Sequence, residues 1–337
     1  MKKIFNLIVS FVLLAGFSAC NKDGSDKPGL PPAPVPTVNY KGLTFISSGK
    51  STVCLAKVGA PDEITLEYST DESQWNPYTI GEKISMADGS FLLFRAGEQK
   101  NLTFSKGSDS YYHFEISGPV TAQGNIMSLL DRDFSTPLST NAFFALFEGC
   151  TSLLSAPELP ATTMEQGCYF RMFAECTGLK SAPELPAKEL AYNCYGWMFK
   201  GCSALTYVPD LPATEMVSYC YNNMFANCTS LKFAPELPAT RLDMGCYHCM
   251  FEGCTSLTSA PELPATELVS NCYEFMYKDC RNLRYVIGLF TTEPSEKTTK
   301  DWLSGVAASG TFIKSKKATW DVTSAHGVPE GWKIETW

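Results

Sequence analysis

Fourteen cysteines are the residues of this 337-residue chain that are best suited to covalent or metal chemistry. Eleven of them form two series, and neighbouring members of each series lie 26 residues apart. The first series is Cys150, Cys176, Cys202, Cys228, Cys254 and Cys280, and the second is Cys168, Cys194, Cys220, Cys246 and Cys272. Thiols arranged in this way can form disulfide bonds between copies, bind a metal as thiolates, or lie in a core as free thiols.

The geometry of stacked copies favours free thiols. If the copies form a parallel sheet, equivalent Cα atoms lie about 4.8 Å apart, which falls inside the ~4.4–6.8 Å range of a disulfide. Stacked side chains share one rotamer and point the same way, however, whereas a disulfide needs its Cβ atoms turned toward each other. We therefore interpret both series as structural ladders of free thiols in the core. A disulfide ladder is the alternative, because the chain is predicted to be exported.

One cluster, formed by Cys246, His248, Cys249 and Cys254, resembles a metal site. Its spacing, C-x-H-C-x4-C, matches no standard zinc pattern, and two of its members belong to the ladders. The sequence contains no phosphate loop, no zinc-protease motif and no nucleophile–base constellation, and its three histidines lie in different regions. The sequence therefore predicts no metal, no cofactor and no enzymatic activity.

An acidic residue at one position of each repeat forms a third series. Its members are Glu158, Glu184, Asp210, Glu236 and Glu262. Each carboxylate would need its own partner if it were buried, and the series supplies none, so the row is expected to face solvent. Such a row attracts a basic or Ca²⁺-bearing surface and mainly accelerates encounter. We take it as the candidate binding face; the alternative is a wet face that only keeps the protein soluble.

The elements that position these residues follow from the 26-residue period. Five full copies occupy residues 150–279, and a period of this size is typical of a solenoid whose units bury their apolar faces against one another. Apolar residues recur at i, i+4, i+5 and i+8, which predicts a helix of about two turns over 194–200. The residues with this spacing are Cys194, Met198, Phe199 and Cys202. The segment LKSAPELPA is expected to be extended, with a very short strand because proline cannot donate to a parallel ladder.

This pattern resembles the BspA-like (Treponema-type) leucine-rich repeats of bacterial surface proteins. The resemblance rests on Cys176/Leu179, on Leu185–Pro186 and on Met198–Phe199–x–x–Cys202, and it covers about residues 142–290. It implies an α/β repeat solenoid of 26-residue leucine-rich repeats, each a short strand plus a short helix. It also implies a cell-surface binding or adhesion protein with a protein or glycoprotein ligand.

The regions beside the repeats have a different composition. Short β-branched and aromatic runs, separated by Gly, Asp, Ser and Pro, indicate a small all-β, sandwich-like domain over residues 38–118. Residues 119–141 are interpreted as a connector and N-terminal cap, and residues 291–337 as a C-terminal cap. Aromatic residues in so small a sandwich are expected in the core, and a ligand platform formed by Trp75 and Tyr111–Tyr112 is the alternative.

The N-terminus has the pattern of an export signal. Residues 1–19 combine a basic start with a short apolar run, which indicates a signal peptide. The ending FSAC resembles a lipobox, which implies that Cys20 is lipidated and becomes the mature N-terminus. Residues 20–37 form a proline-rich spacer. Together these features predict a lipoprotein exposed on the surface of the outer membrane. We also expect the protein to be a monomer.

The overall charge excludes one class of partner. The net charge is −8 and the isoelectric point is about 5.1, so an electrostatic nucleic-acid interface is not expected. The leading hypothesis is a surface-anchored binding or adhesion protein whose repeats bind an extracellular protein or glycoprotein. The alternatives are a glycan-capture lipoprotein that uses the sandwich domain, and a structural component of a surface layer.

Overall fold

The computed structural model describes residues 41–99, 102–320 and 326–337, all within one compact unit, Thr37–Trp337. The predicted signal peptide, Cys20 and the proline-rich spacer lie outside the described residues. Strand accounts for 24% of the described residues and helix for 1%.

Two β-sheets form the N-terminal part of the described chain. Their strands are β1 (Leu43–Ser47), β2 (Ser51–Val58), β3 (Leu66–Ser69), β4 (Asn76–Tyr78), β5 (Ile84–Met86), β6 (Phe91–Ala96), β7 (Ser105–Gly107), β8 (Ser110–Ser117) and β9 (Val120–Gln123). One sheet has the order β10-β9-β1-β6-β3-β4, where β10 is Leu153–Ser155, and the other has the order β5-β2-β8-β7. Neighbouring strands are antiparallel except β10, which pairs in parallel with β9.

Aromatic side chains from both sheets fill the space between them. The Phe45 ring packs edge-on against Phe94 at 6.0 Å and against Phe114 at 5.0 Å between ring centroids. These residues come from β1, β6 and β8, so both sheets contribute. Edge-to-face packing is a favourable arrangement of buried rings. The same core continues without a break into the repeats, because Phe114 also stacks on Phe147 at 5.2 Å.

Each 26-residue repeat makes one coil around a continuous core, and consecutive coils stack in register. Two columns of inward aromatic rings show the register. Tyr169, Tyr195, Tyr221, Tyr247 and Tyr273 stack at 5.7–6.0 Å, and Phe147, Phe173, Phe199, Phe225, Phe251 and Tyr277 stack at 5.3–5.7 Å. Because every copy supplies an aromatic ring at the same position, each coil covers the apolar face of the next.

The prediction of a helix over residues 194–200 is wrong. Among the described residues there is no α-helix; the sole helix is a 3₁₀ turn over Ile126–Leu129. The segment predicted to be helical, 194–200, and its equivalents lie instead in chains of consecutive turns, such as 167–175, which we call turn ribbons. The repeats are therefore not the strand-plus-helix units of an α/β leucine-rich-repeat solenoid, and that fold-class prediction is overturned.

Two sets of hydrogen bonds, one to the next coil and one within the turn ribbon, pair its backbone N–H groups without a helix. Alternate residues of 167–175 donate their N–H to carbonyls of the next coil, as Tyr169 does to Cys194, at 2.7–3.0 Å. The residues between them donate to the carbonyl three positions back, as Met172 does to Tyr169, at 3.0–3.2 Å. Every second peptide group thus links neighbouring coils, whereas a helix would use all of them internally.

The turn ribbon places the same residues inward as a helix would. Its backbone repeats every four residues, and the left-handed region is occupied at each fourth position, as at Asn193, Trp197 and Gly201. A period of four puts i, i+4, i+5 and i+8 on one side, and over nine residues this pattern cannot be distinguished from the 3.6-residue period of a helix. The frequent Asn and Gly at these positions were the sequence signal for left-handed turns.

The APELP segments contribute almost no sheet. Prolines at two positions of each segment remove N–H donors from the parallel ladder. Isolated bridges remain between coils, such as Ser181 with Tyr207 and Thr163 with Glu189. In the described repeats, regular strands occur at the two ends of the stack: β10 at the first coil and β11 (Glu262–Leu263) at the last.

A small parallel sheet and three tryptophans close the C-terminal end. Strand β11 pairs with β12 (Tyr285–Gly288), which continues to β13 (Thr311–Lys314) and β14 (Lys333–Thr336). Trp302, Trp320 and Trp332 are buried, and each indole N–H donates to a backbone carbonyl. The Trp302 ring covers the last tyrosine of the column, Tyr273, at 6.1 Å.

Candidate functional site

The first cysteine series links neighbouring coils through its thiols. Each Sγ donates to the carbonyl 29 residues earlier where the repeats are regular, as Cys202 does to Phe173 at 3.1 Å and Cys228 to Phe199 at 3.1 Å. Cys150, at the start of the stack, donates to the Phe114 carbonyl of β8 at 3.0 Å. A small side chain with a weak donor fits this buried position, which explains the repeated cysteine.

The second cysteine series is also buried in the core, near the start of each turn ribbon. Cys168 and Cys220 contact the sulfur atoms of Met164 and Met216 at 3.6 and 3.7 Å. Burial raises the pKa of the Cys194 thiol to about 12, so it is neutral at physiological pH. All cysteines of the described part of the chain are buried and free. Since the thiolate is the reactive form, both series serve packing rather than chemistry.

The four residues whose sequence resembles a metal site do not form one group. Cys246 and Cys254 are buried ladder members. His248 is half-buried on the outer side, and the neighbouring Cys249 is buried, with its Sγ 3.8 Å from His248 Nε2. In the described residues, no group of three or more His, Cys, Asp or Glu side chains is placed to hold a metal ion.

The acidic series lies on the outer side of the APELP segments. Four of its members, Glu158, Glu184, Asp210 and Glu236, are exposed, and Glu262 is half-buried. Asp210 also has a local structural role, because its Oδ1 accepts the N–H of Glu236 at 3.1 Å. Within the described part of the chain, none of the five carboxylates forms an ion pair.

Two exposed aromatic rings accompany the middle of the acidic row. Tyr207 and Phe233 are 40% and 45% exposed, three residues before Asp210 and Glu236 respectively. Partial burial raises the pKa of the Tyr207 hydroxyl, and the carboxylates of Glu184 and Asp210, which lie close enough to interact with it, raise it further. We call the surface formed by Glu184, Tyr207, Asp210, Phe233 and Glu236 the acid–aromatic face.

Sequence reasoning missed the aromatic half of this face. The signal was present as a break in the repeat, because the position occupied by Tyr207 and Phe233 is serine in the neighbouring copies Ser155, Ser181 and Ser259. The serines are half-buried, whereas the two rings that replace them in adjacent coils are exposed, so the rings have no purpose in core packing.

Beside the acid–aromatic face, the first two APELP segments enclose an open cavity of about 330 Å³. It is lined by prolines, Ala156 and Leu159, and by Glu158 and Glu184. This apolar and acidic lining extends the character of the face toward the N-terminal end of the stack.

The aromatic residues of the sandwich do not form an open platform. The Arg95 guanidinium covers the Trp75 ring at 3.7 Å from its centroid. Tyr112 is buried, and its hydroxyl donates to the Asp62 carbonyl at 3.0 Å. Tyr111 is half-buried against the Phe144 ring at 5.3 Å. A glycan platform on the sandwich domain has no support in this arrangement.

Comparison with protein-family models, with curated proteins and with solved structures gave no significant match. No helix in the described residues is long and apolar enough to cross a membrane.

Proposed function

We propose that this chain is a binding protein that captures cationic protein segments on its acid–aromatic face. The observation that carries the proposal is the register of exposed carboxylates and exposed rings on adjacent coils, with Tyr207 close to both Glu184 and Asp210. Neither group contributes to the core, and no basic side chain of the described chain neutralises the carboxylates.

The two kinds of group recognise the same partner chemistry. Lysine and arginine side chains form ion pairs with carboxylates and stack on aromatic rings, where a cation–π contact is worth about 0.5–1 kcal/mol at an exposed site. An exposed ion pair adds roughly 0.2–1 kcal/mol. Several such contacts, repeated at the coil spacing, give useful affinity to a partner with several basic residues. The row of negative charge also accelerates its encounter.

Presentation of this face depends on the N-terminal features. The predicted signal peptide, lipidated Cys20 and proline-rich spacer would hold the folded part at the outer surface of the outer membrane. The proposed partner is accordingly an extracellular protein with an exposed basic segment.

The test measures binding of a short oligo-arginine peptide and a length-matched Gly-Ser peptide to the full chain in detergent. Two variant sets address the face: Glu184→Gln/Asp210→Asn/Glu236→Gln, and Tyr207→Ser/Phe233→Ser, which restores the serine of neighbouring copies. The matched control is Glu165→Gln/Glu189→Gln/Glu267→Gln, which removes the same charge from three exposed residues elsewhere on the coils.

We expect each face set to weaken oligo-arginine binding at least about tenfold, or ~1.4 kcal/mol, and the control set to weaken it by much less. The charge effect should be larger at low salt, because screening reduces exposed interactions. Equal losses from the face set and the control set would show that only net charge matters, and the proposed site would be wrong.

A further inference from the structure

The last strand of the C-terminal sheet has one edge that no described strand covers. The sheet order is β11-β12-β13-β14, so β13 is the single neighbour of β14 among the described strands. Lys333 and Trp337 donate their N–H groups to backbone carbonyls on the β13 side, both at 2.9 Å. Because successive residues of a strand direct these groups to opposite edges, Ile334 and Thr336 present their N–H and C=O groups away from β13. Such an edge can accept one more strand.

Two other sheet edges of the described chain carry features that hinder pairing. Strand β4 contains Pro77, which has no N–H to donate. Strand β7 has an irregular register against β8 between Ser105 and Gly107, and an irregular edge is a poor template. Strand β14 has the sequence KIET, with no proline and no register shift against β13. Its charged side chains therefore decide which strand can pair with it.

The side chains of β14 alternate between the two faces of the sheet. Ile334 packs against the core, and Lys333 and Glu335 lie on the opposite face. There the Lys333 ammonium and the Glu335 carboxylate form an ion pair at 2.5 Å, and the two side chains are 73% and 42% exposed. One positive and one negative charge thus flank Ile334 symmetrically, so the strand has no net charge that would repel an identical strand.

Charge selects one register for pairing with an identical antiparallel strand. Outward residues must lie opposite each other, because they exchange the N–H···O bonds, so the register that pairs most of β14 is centred on Ile334 or on Glu335. A register centred on Glu335 places the two Glu335 carboxylates opposite each other, which is destabilising. A register centred on Ile334 places Lys333 of each copy opposite Glu335 of the other. Two ion pairs then cross the boundary, and the two Ile334 residues exchange backbone hydrogen bonds.

We propose that β14 pairs antiparallel with β14 of a second copy of this chain, in the register centred on Ile334. The two C-terminal sheets then join into one sheet across a twofold axis, and the second copy extends away from the first. Pairing also covers part of the Trp337 ring, which directly follows β14 and is 62% exposed. The expectation of a monomer, drawn from the sequence, is replaced by this dimer.

The contact is small, so the dimer is expected to be weak and reversible. Pairing of one short strand buries less than the roughly 1,200–2,000 Å² of a standard stable interface. The predicted lipid anchor would compensate for this, because it would confine the copies to one membrane surface and raise their effective concentration.

The test follows dimerisation of the full chain in detergent by sedimentation over a series of concentrations. Lys333→Glu and Glu335→Lys each place like charges opposite each other, whereas the combined variant Lys333→Glu/Glu335→Lys restores unlike pairs with exchanged signs. The matched controls are Lys232→Glu and Glu189→Lys, which reverse exposed charges in the middle coils. Every variant keeps the same anchor, so association within a micelle affects all of them equally. Thermal unfolding verifies that each variant is folded.

We expect each single reversal at β14 to weaken dimerisation at least about tenfold. The combined variant and the two controls should dimerise like the unmodified chain. An equimolar mixture of Lys333→Glu and Glu335→Lys chains, one of them ¹⁵N-labelled, should form the mixed dimer in preference to either homodimer. Only the mixed pair places unlike charges opposite each other, and native mass spectrometry measures its share.

A chain that remains monomeric over the whole concentration series would overturn the proposal. Dimerisation that both single reversals leave unchanged would also overturn it, because the contact would then lie on another surface. A mixture without an excess of the mixed dimer would exclude the register centred on Ile334. None of these outcomes bears on oligo-arginine binding, which depends on the acid–aromatic face.

Discussion

Replacement of Asn223 by alanine and by glycine tests the turn ribbon directly. Asn223 lies in the middle of a ribbon with φ of 54°, and its side chain is 7% exposed. In a left-handed position alanine is strained, whereas glycine is not. In a helix the order is reversed, because alanine is the best helix former and glycine one of the poorest. A turn ribbon therefore predicts that Asn223→Gly is more stable than Asn223→Ala, whereas a helix predicts the reverse order.

The expected magnitude follows from the backbone. Strain disfavours alanine by about 1–2 kcal/mol, and the greater freedom of glycine in the unfolded chain offsets roughly 0.4–1 kcal/mol of this. Asn223→Gly should thus be more stable than Asn223→Ala by about 0.5–1 kcal/mol, whereas a helix predicts that alanine is better by about 1 kcal/mol. Both variants lose the hydrogen bond to Asn222, so that loss cancels in the comparison.

The assay is urea unfolding of the full chain, followed by circular dichroism, with the denaturant slopes compared to exclude a changed unfolded state. The control is Ala226→Gly, three residues along the same ribbon, where φ is not positive and the methyl group is buried. There, glycine should be less stable than alanine by at least about 0.5–1 kcal/mol. If alanine is the more stable variant at position 223 as well, the segment is helical and the turn ribbon is wrong.

Three further predictions concern the thiols, acid stability and the membrane anchor. Cys202→Ala removes the bond to the Phe173 carbonyl and leaves a small cavity, so urea unfolding should show a loss of about 1–2 kcal/mol, and no loss would contradict a structural role of the ladder. Burial alone would raise the pKa of Asp131, but hydrogen bonds from Thr136, Asp133 and Ser135 outweigh it and lower the pKa from 3.8 to about 2. Asp131 therefore stabilises the fold above pH 3.8 and loses this effect as the pH falls toward 2, so Asp131→Asn should flatten the fall in urea midpoint across that interval; an unchanged profile would refute the assignment. Cys20→Ser should release the protein from membranes into the soluble fraction without detergent, and continued membrane association would show that Cys20 is not the anchor.

Several features of the repeat region could be derived from the sequence because they depend on position alone. Five copies of 26 residues carry cysteine, leucine, methionine and an aromatic ring at the same positions, and residues that recur in this way must stack. The outward location of the acidic row followed from the cost of burying carboxylates without partners. The structure places four of those five residues at the surface.

The backbone conformation was decided by contacts between coils. The spacing of Cys194, Met198, Phe199 and Cys202 fits both a helix and a chain of turns, and local sequence does not separate the two. Tertiary hydrogen bonds such as Tyr169 to Cys194 connect residues 25 positions apart, and they require N–H groups that a helix would use internally. The left-handed residues follow from that requirement.

The grouping of side chains outside the core also depends on tertiary structure. Tyr207 and Asp210 are near each other in sequence, but Glu184 joins them from the preceding coil. Likewise, Asn222 and His248 are 26 residues apart and meet because their coils stack in register. The sequence by itself determined which residues recur and which must be buried or exposed. Only the stacking of coils decided which non-recurring side chains share a surface, because that depends on register between coils and not on distance along the chain.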